Sequence, residues 1–132
     1  MAVVGEFKLS LPARSENLGT VRRALSDFAA SLGVDDETIL DLRLAVHEAC
    51  SNVVRHAYGE DIGAMKVEAR PVGASLVVVV EDEGQGLAHA SSDPGAGLGL
   101  RVASAVSDSL EVRQKKRAGT EVRLAFPLGQ VA

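Results

Sequence analysis

The order of hydrophobic periodicities along the chain predicts an α+β fold, a two-layer sandwich whose mixed, mostly antiparallel sheet carries three helices on one face. Two observations lead there. The elements read strand, helix, helix, strand, strand, loop, helix, strand, strand, and strands that follow one another directly pair antiparallel while the helices collect on one side. Residues 76–80 (LVVVV) also form a near-continuous apolar run of strand length, as expected of a central strand covered on at least one face. At 132 residues, 46% hydrophobic and 24% charged, the chain can bury a core as one ordinary domain, residues 1–132. It has no repeat, low-complexity stretch or linker. Aromatic residues are only 3% of the total, so that core must be built from Val, Leu and Ala.

Each element has local grounds. Residues 6–11 (EFKLSL) alternate polar and apolar, the pattern of a half-buried strand at a sheet edge, and Pro12 ends it. Ser15 is the expected N-cap of a helix from Glu16 to about Leu32, with Leu18, Val21, Leu25, Phe28 and Ala29 on its buried stripe and Gly33 closing it. Asp35 or Asp36 caps the second helix. Its stripe of Leu42, Val46, Ala49 and Val53 is widened by Ile39, Ala45, Cys50 and Ala57, and Gly59 stops it. A strand over 66–70 (KVEAR) leads through a turn at 71–73 to the apolar strand. A polar, glycine-rich segment spans 81–99, helical spacing returns over 100–106, and strands at 110–115 and 120–126 close a hairpin around 116–119.

Charge and composition exclude several classes. With 14 basic against 18 acidic residues, the net charge of −4 speaks against a nucleic-acid binder, which needs a basic face. The lone Cys50 has no partner for an internal disulfide and lies on the apolar side of its helix, where it reads as core filler. No basic-then-apolar leader follows Met1 and no run reaches membrane length, so the expected location is cytoplasmic, away from membranes.

The chemistry begins on the second helix. Glu48 and Asn52 are an i, i+4 pair, about 40° apart around the axis, on the flank of the apolar stripe. A carboxylate stacked over a carboxamide can polarise a hydroxyl and hold a hard cation. An isolated pair of this kind reads first as a surface hydrogen bond, and it is the glycine clusters downstream that overturn that reading. Downstream, Asp82 ends the apolar strand, with Gly84 and Gly86 just beyond. A carboxylate there can accept from the exocyclic amine of a base, and the glycines let a planar ring approach the backbone. The cluster Gly95, Gly97, Leu98, Gly99 opens a helix, where exposed N–H groups suit phosphates, unless it is only a hinge. It lacks the Lys-Ser or Lys-Thr of a Walker loop and the preceding parallel strand of a dinucleotide site. Gly119-Thr120 then places a hydroxyl at the start of the last strand, where it could join Asp82 on a base.

In this order, ExxxN, DxGxG, GxGLGL and GT resemble the four-box pattern of the histidine-kinase-like (GHKL, Bergerat-fold) ATPase superfamily shared by gyrase, heat-shock chaperones and histidine kinases. LPARSENLGTVRRAL and LRLAVHEACSNVVRHAYG further resemble the anti-sigma-factor serine/threonine kinases of bacteria. The resemblance implies that Glu48 is the general base, Asn52 the magnesium ligand and Asp82 the acceptor of the adenine amine, supported through water by Thr120. Gly84 and Gly86 would shape the adenine pocket. Gly97, Leu98 and Gly99, in the cluster opened by Gly95, would cradle the phosphates. It implies ATP/ADP and Mg2+ as cofactors, phosphorylation of an anti-anti-sigma partner, sequestration of an RNA polymerase sigma factor, and a homodimer. An edge strand at residues 6–11 would also template self-pairing.

One departure stands out. Residues 87–94 (LAHASSDP) carry no Lys or Arg, which leaves phosphate charge to magnesium, the helix N-terminus and Arg101 or Arg55. The expected lid is therefore short and open, His89 is solvated within it, and His56 packs beside the nucleotide edge. Two other functions fit the same motifs: a nucleotide-dependent binding module with little catalysis, and the catalytic half of a histidine kinase. The chain has no helical hairpin bearing a phosphoacceptor histidine, which disfavours the last.

Overall fold

The computed structural model describes residues 5–56, 63–84, 98–115 and 118–129. Strand β1 (Phe7–Pro12) is followed by a 3₁₀ turn (Ser15–Asn17), helices α1 (Leu18–Ser31) and α2 (Asp36–His56), strands β2 (Ala64–Val72) and β3 (Ser75–Asp82), helix α3 (Leu98–Ala105), and strands β4 (Ser109–Gln114) and β5 (Thr120–Pro127). The strands form one sheet in the order β1-β2-β3-β5-β4. Every neighbouring pair is antiparallel, so the expected α+β sandwich is present without the mixed component. As its alternation predicts, β1 is an edge strand.

Period-2 alternation divides the sheet into two faces. Leu76, Val78, Val80 and Asp82 of β3 are buried, as are Met65, Val67 and Ala69 of β2 and Val122, Leu124 and Phe126 of β5. These side chains face the helices, which contribute Val21, Leu25, Leu42, Val46, Ala49 and Val53 to the same core. The opposite face carries Lys66, Glu68, Val77, Val79, Glu81, Glu121 and Arg123. The LVVVV run is thus covered fully on one side and only partly on the other.

The stop of α1 agrees with sequence expectation and its start does not, while the expected stop of α2 at Gly59 lies outside the described residues. Gly33, at φ +83°, donates to Ala30 O at 3.0 Å, and Val34 N donates to Ala29 O at 3.2 Å, a left-handed closure that satisfies two end carbonyls. Asp35, not Asp36, caps α2, its Oδ1 accepting from Thr38 N at 2.8 Å. Ser15 does not cap α1. The chain first makes the 3₁₀ turn, and the residue before the α-helix is Asn17, at φ −88° and ψ −9° with no side-chain cap bond. Its amide instead donates to Pro12 O at 2.8 Å, fastening the turn to the end of β1. Pro71 and Val72 also belong to β2, leaving the turn to Gly73, at φ +61°, and Ala74. Pro71 is tolerated because the β1 ladder ends at Phe7 opposite Ala69, so its missing N–H costs no pairing on that side.

These connections fix the direction of α2, and with it the site. Gly129, just past the end of β5, lies against Gly33 O, so α2 starts near the end of the sheet where β5 finishes. At 1.5 Å per residue it runs about 30 Å back across the sheet, toward the end where β2 begins, β3 finishes at Asp82 and β5 starts at Thr120. Arg22 Nη1 and His47 Nδ1, 2.6 Å apart, tie α1 to this helix. On its other side α2 packs against α3, whose first residues enter from the same end.

Candidate functional site

Two groups of site residues assemble at that end of the sandwich. The first lies at the ends of β3 and β5. Asp82 and Thr120 are the two buried polar residues recorded among the described residues, 4% and 3% exposed. Both point toward the helical layer because each continues the buried alternation of its strand. Asp82 Oδ1 accepts from Gly84 N at 3.0 Å, and the carboxylate also accepts the backbone N–H of Thr120. Burial pushes the Asp82 carboxyl above its ordinary range. The two N–H groups and the charge of Lys115 pull the other way and only partly offset it.

Gly119 explains how β5 approaches so closely. At φ +103°, a Cβ there would run into Asp82 O and lie 2.8 Å from both Asp82 C and Glu83 Cα. Only glycine lets the β4–β5 hairpin rest on the backbone of the residue that presents the carboxylate. Lys115 N donates to Gly119 O at 3.0 Å and closes the hairpin over it.

The second group lies between α2 and α3. Glu48 and Asn52 are half-buried on one flank of α2, one turn apart. The Glu48 carboxylate occupies the space that a side chain on Gly99 would need, since a Cβ built there would be 2.7 Å from Glu48 Oε2. Gly99 thus seats the carboxylate against the first turn of α3, and Leu98 opens that helix. Arg55 and Arg101 are exposed. Gly86, Gly95, Gly97, His89 and the lid at residues 87–94, together with the side chain of His56, lie outside the described residues.

Chemically, the first group offers a sheltered carboxylate with acceptor capacity left after two N–H bonds. The second offers an acid and an amide oxygen beside a helix start. Among the described residues there is no cluster of three or more His, Cys, Asp or Glu that could hold a metal alone, so a cation here would share its shell with ligand oxygens and water. Gly119 enters the sequence reading only as the first residue of the GT motif, with no role of its own, and Lys115 does not enter it as a site residue. The signal for Gly119 was its place immediately before Thr120; Lys115 was hidden in the basic run of the hairpin turn.

Among the described residues, an antiparallel five-stranded sheet is backed by three helices, with a buried acid at the end of β3 and α3 preceded in sequence by a glycine cluster, which is the arrangement of a class of ATPase domain. The chain belongs to the histidine kinase-like ATPase domain family, whose model matches residues 11–126. Its relatives include anti-sigma factors and serine kinases, in accord with the resemblance carried by its first two helices. It is 30% identical over 135 residues to the anti-sigma F factor of Caldanaerobacter subterraneus, covering 94% of each chain. It is 39% identical over 79 residues to the serine-protein kinase RsbW of Bacillus subtilis, a match that takes in 59% of this chain and 49% of that one. A solved structure of the RsbU and RsbW domains of a Mycobacterium tuberculosis protein superposes with a TM-score of 0.77 at 27% identity, over 96% of this chain and 33% of that longer one. Among the described residues no helix is long and apolar enough to cross a membrane.

Proposed function

We propose that this protein is a magnesium-dependent, ATP-binding anti-sigma factor that phosphorylates a serine or threonine of an anti-anti-sigma partner and sequesters a sigma factor in the cytoplasm. The observation that carries the nucleotide part is Asp82, a carboxylate kept buried at a strand end although burial disfavours its charge. An exocyclic amine donating to it would offset that cost, as an adenine does. Gly84, with Gly86 just beyond it in sequence, would leave room for the ring, and Thr120 stands beside the acceptor. Gly95, Gly97, Leu98 and Gly99 would offer N–H groups to the phosphates.

For transfer, Glu48 would orient the acceptor hydroxyl and take its proton at a carboxylate oxygen as the γ-phosphoryl group passes to the hydroxyl oxygen and ADP leaves, while Asn52, one turn on, would offer its amide oxygen to the cation. A bound magnesium ion would supply charge neutralisation at the phosphates. Seating Glu48 against Gly99 keeps the base next to the helix start where the phosphates would lie. The anti-sigma F factor and RsbW relatives support both halves of the function.

The decisive experiment incubates the protein with labelled ATP, magnesium and a candidate anti-anti-sigma protein, and looks for phosphoserine or phosphothreonine. Transfer that needs Glu48 supports the kinase. ATP-dependent partner binding without transfer would leave a regulatory binding module, the reading favoured by the exposure of Arg55 and Arg101 and the absence of Lys and Arg from residues 87–94.

A further inference from the structure

We propose that Lys115 is a positioning residue for the base-binding carboxylate, gripping the end of β3 from the β4–β5 hairpin so that Asp82 is held toward the nucleotide. The inference rests on the reading of Asp82 as the acceptor of the base. Lys115 Nζ lies 3.5 Å from Asp82 O and 3.7 Å from Glu81 Oε2. It therefore touches two consecutive residues whose side chains point to opposite faces of the sheet. Its own backbone is fixed by the bond from Lys115 N to Gly119 O, and Gly119 rests on the backbone of Asp82. Backbone contact and ammonium thus clamp the same strand end.

The charges around this end explain why a cation is needed there. Glu81, Asp82 and Glu83 are consecutive acids. On β5, Glu121 stands directly across from Glu81, and on β2, Lys66 pairs with Glu81 while the apolar Met65 pairs with Asp82. Glu121 is served by Arg123 at 3.3 Å and Arg113 at 4.0 Å. Among the described residues, Lys115 is the cation whose charge bears on Asp82 itself. The Lys115 and Glu81 side chains are 29% and 26% exposed, whereas Arg113 is 67% exposed. The Lys115 charge is accordingly screened less than that of an ordinary surface pair. It opposes the burial that pushes protons onto Asp82 and helps keep the acceptor charged.

The test compares wild type, Lys115→Gln and Lys115→Arg, all with their thermal midpoints recorded to verify folding. ADP affinity is measured across the acid range to neutral pH, and the Asp82 carboxyl carbon is titrated by NMR in the ligand-free protein. Lys115→Gln should weaken ADP binding about two- to fivefold at neutral pH. It should also move the acid limb of binding and the Asp82 titration to higher pH, and Lys115→Arg should restore both. Coincident pH profiles and Asp82 titrations in wild type and Lys115→Gln would reduce Lys115 to a surface ion pair and overturn the proposal. An Asp82 titration that moves while ADP affinity ignores both Lys115→Gln and Asp82→Ala would leave the electrostatic link standing and discard the nucleotide reading instead.

Discussion

The carboxylate of Glu48 stands where a side chain on Gly99 would have to be, 2.7 Å from the position of its Cβ. Two helices separated by the whole of β2 and β3 are therefore fitted to each other at the proposed catalytic base. The neighbour is the far end of a flexible side chain, so Gly99→Ala should push the carboxylate aside without unfolding anything. Alanine inside a helix is favoured over glycine by up to about 1 kcal/mol, so the thermal midpoint should hold or rise. Phosphoryl transfer should nevertheless fall by about tenfold or more, because a displacement near 1 Å can cost that much. Glu48→Gln, which keeps shape but loses basicity, should keep ADP affinity and lower transfer by about 10²–10⁴-fold. Wild-type transfer rates in both variants would make Glu48 structural.

Gly119→Ala should behave in the opposite way. Its Cβ would meet the backbone of Asp82 and Glu83, which cannot swing clear, at a φ of +103° that strains any L residue. Strain and overpacking together should cost about 2–4 kcal/mol, read as a lower urea midpoint. Gly73→Ala is the control: its φ is +61°, but nothing lies within 4 Å of the added Cβ. It should lose only about 1 kcal/mol. Equal losses at the two positions would show that conformational strain alone matters at Gly119.

These two glycines mark where sequence reasoning stops. Leu18, Val21, Leu25 and Ala29 are legible as a buried stripe because helical period is local, whereas Asp82 is legible only jointly with the other motifs, since an acid at a strand end before glycines is common on its own. The contact of Gly99 with Glu48 depends on how α2 and α3 pack, and that of Gly119 with Asp82 on the β3–β5 register. Neither leaves a local pattern. Ser15 has the chemistry of a cap, but the Asn17 amide bond to Pro12 O sets where the turn closes. Lys115 was invisible as a site residue for the same reason as Gly119: its partners are supplied by β3.

Asn52 bears on the cation. If its amide oxygen joins the magnesium shell, Asn52→Ala should reduce ADP affinity in magnesium to roughly what wild type shows in EDTA. The half-buried setting on the α2 flank means the truncation itself should leave the fold intact. Calorimetric titration with and without EDTA checks this, and a variant that still gains affinity from magnesium would remove Asn52 from the metal shell.

Cys50 offers a readout of opening. It is 1% exposed in the core, and burial pushes its thiol up to about 12, so almost no thiolate exists at pH 8. Iodoacetamide should leave native protein unlabelled and label it fully in urea, as followed by intact mass. Rapid labelling in the native state would mean that α2 lifts from the sheet on a short timescale.

Asp82 couples stability to function with opposite signs. Its carboxyl titrates above the ordinary carboxylate range in the folded protein, chiefly because it is buried, with the N–H groups of Gly84 and Thr120 and the Lys115 charge only partly compensating. A group whose folded value is raised contributes stability that is complete below its unfolded value and is lost as pH rises through the folded one. Ligand-free wild type should therefore lose stability from this site as pH climbs out of the carboxylate range. Asp82→Asn keeps an oxygen for the two N–H donors but has no charge to desolvate. The thermal midpoint of the ligand-free variant, relative to wild type, should consequently be higher at pH 7.5 than at pH 4. The same substitution should weaken ADP binding by about 1.5–3 kcal/mol, because a charge-assisted bond to the base becomes an ordinary or mismatched one. Thermal melts at the two pH values, beside ADP titrations at pH 7.5, measure both effects on one pair of proteins. A variant that is relatively less stable at pH 7.5 than at pH 4 would show that the carboxylate is well compensated before any ligand arrives, and the burial of Asp82 would no longer argue for a further donor from the nucleotide.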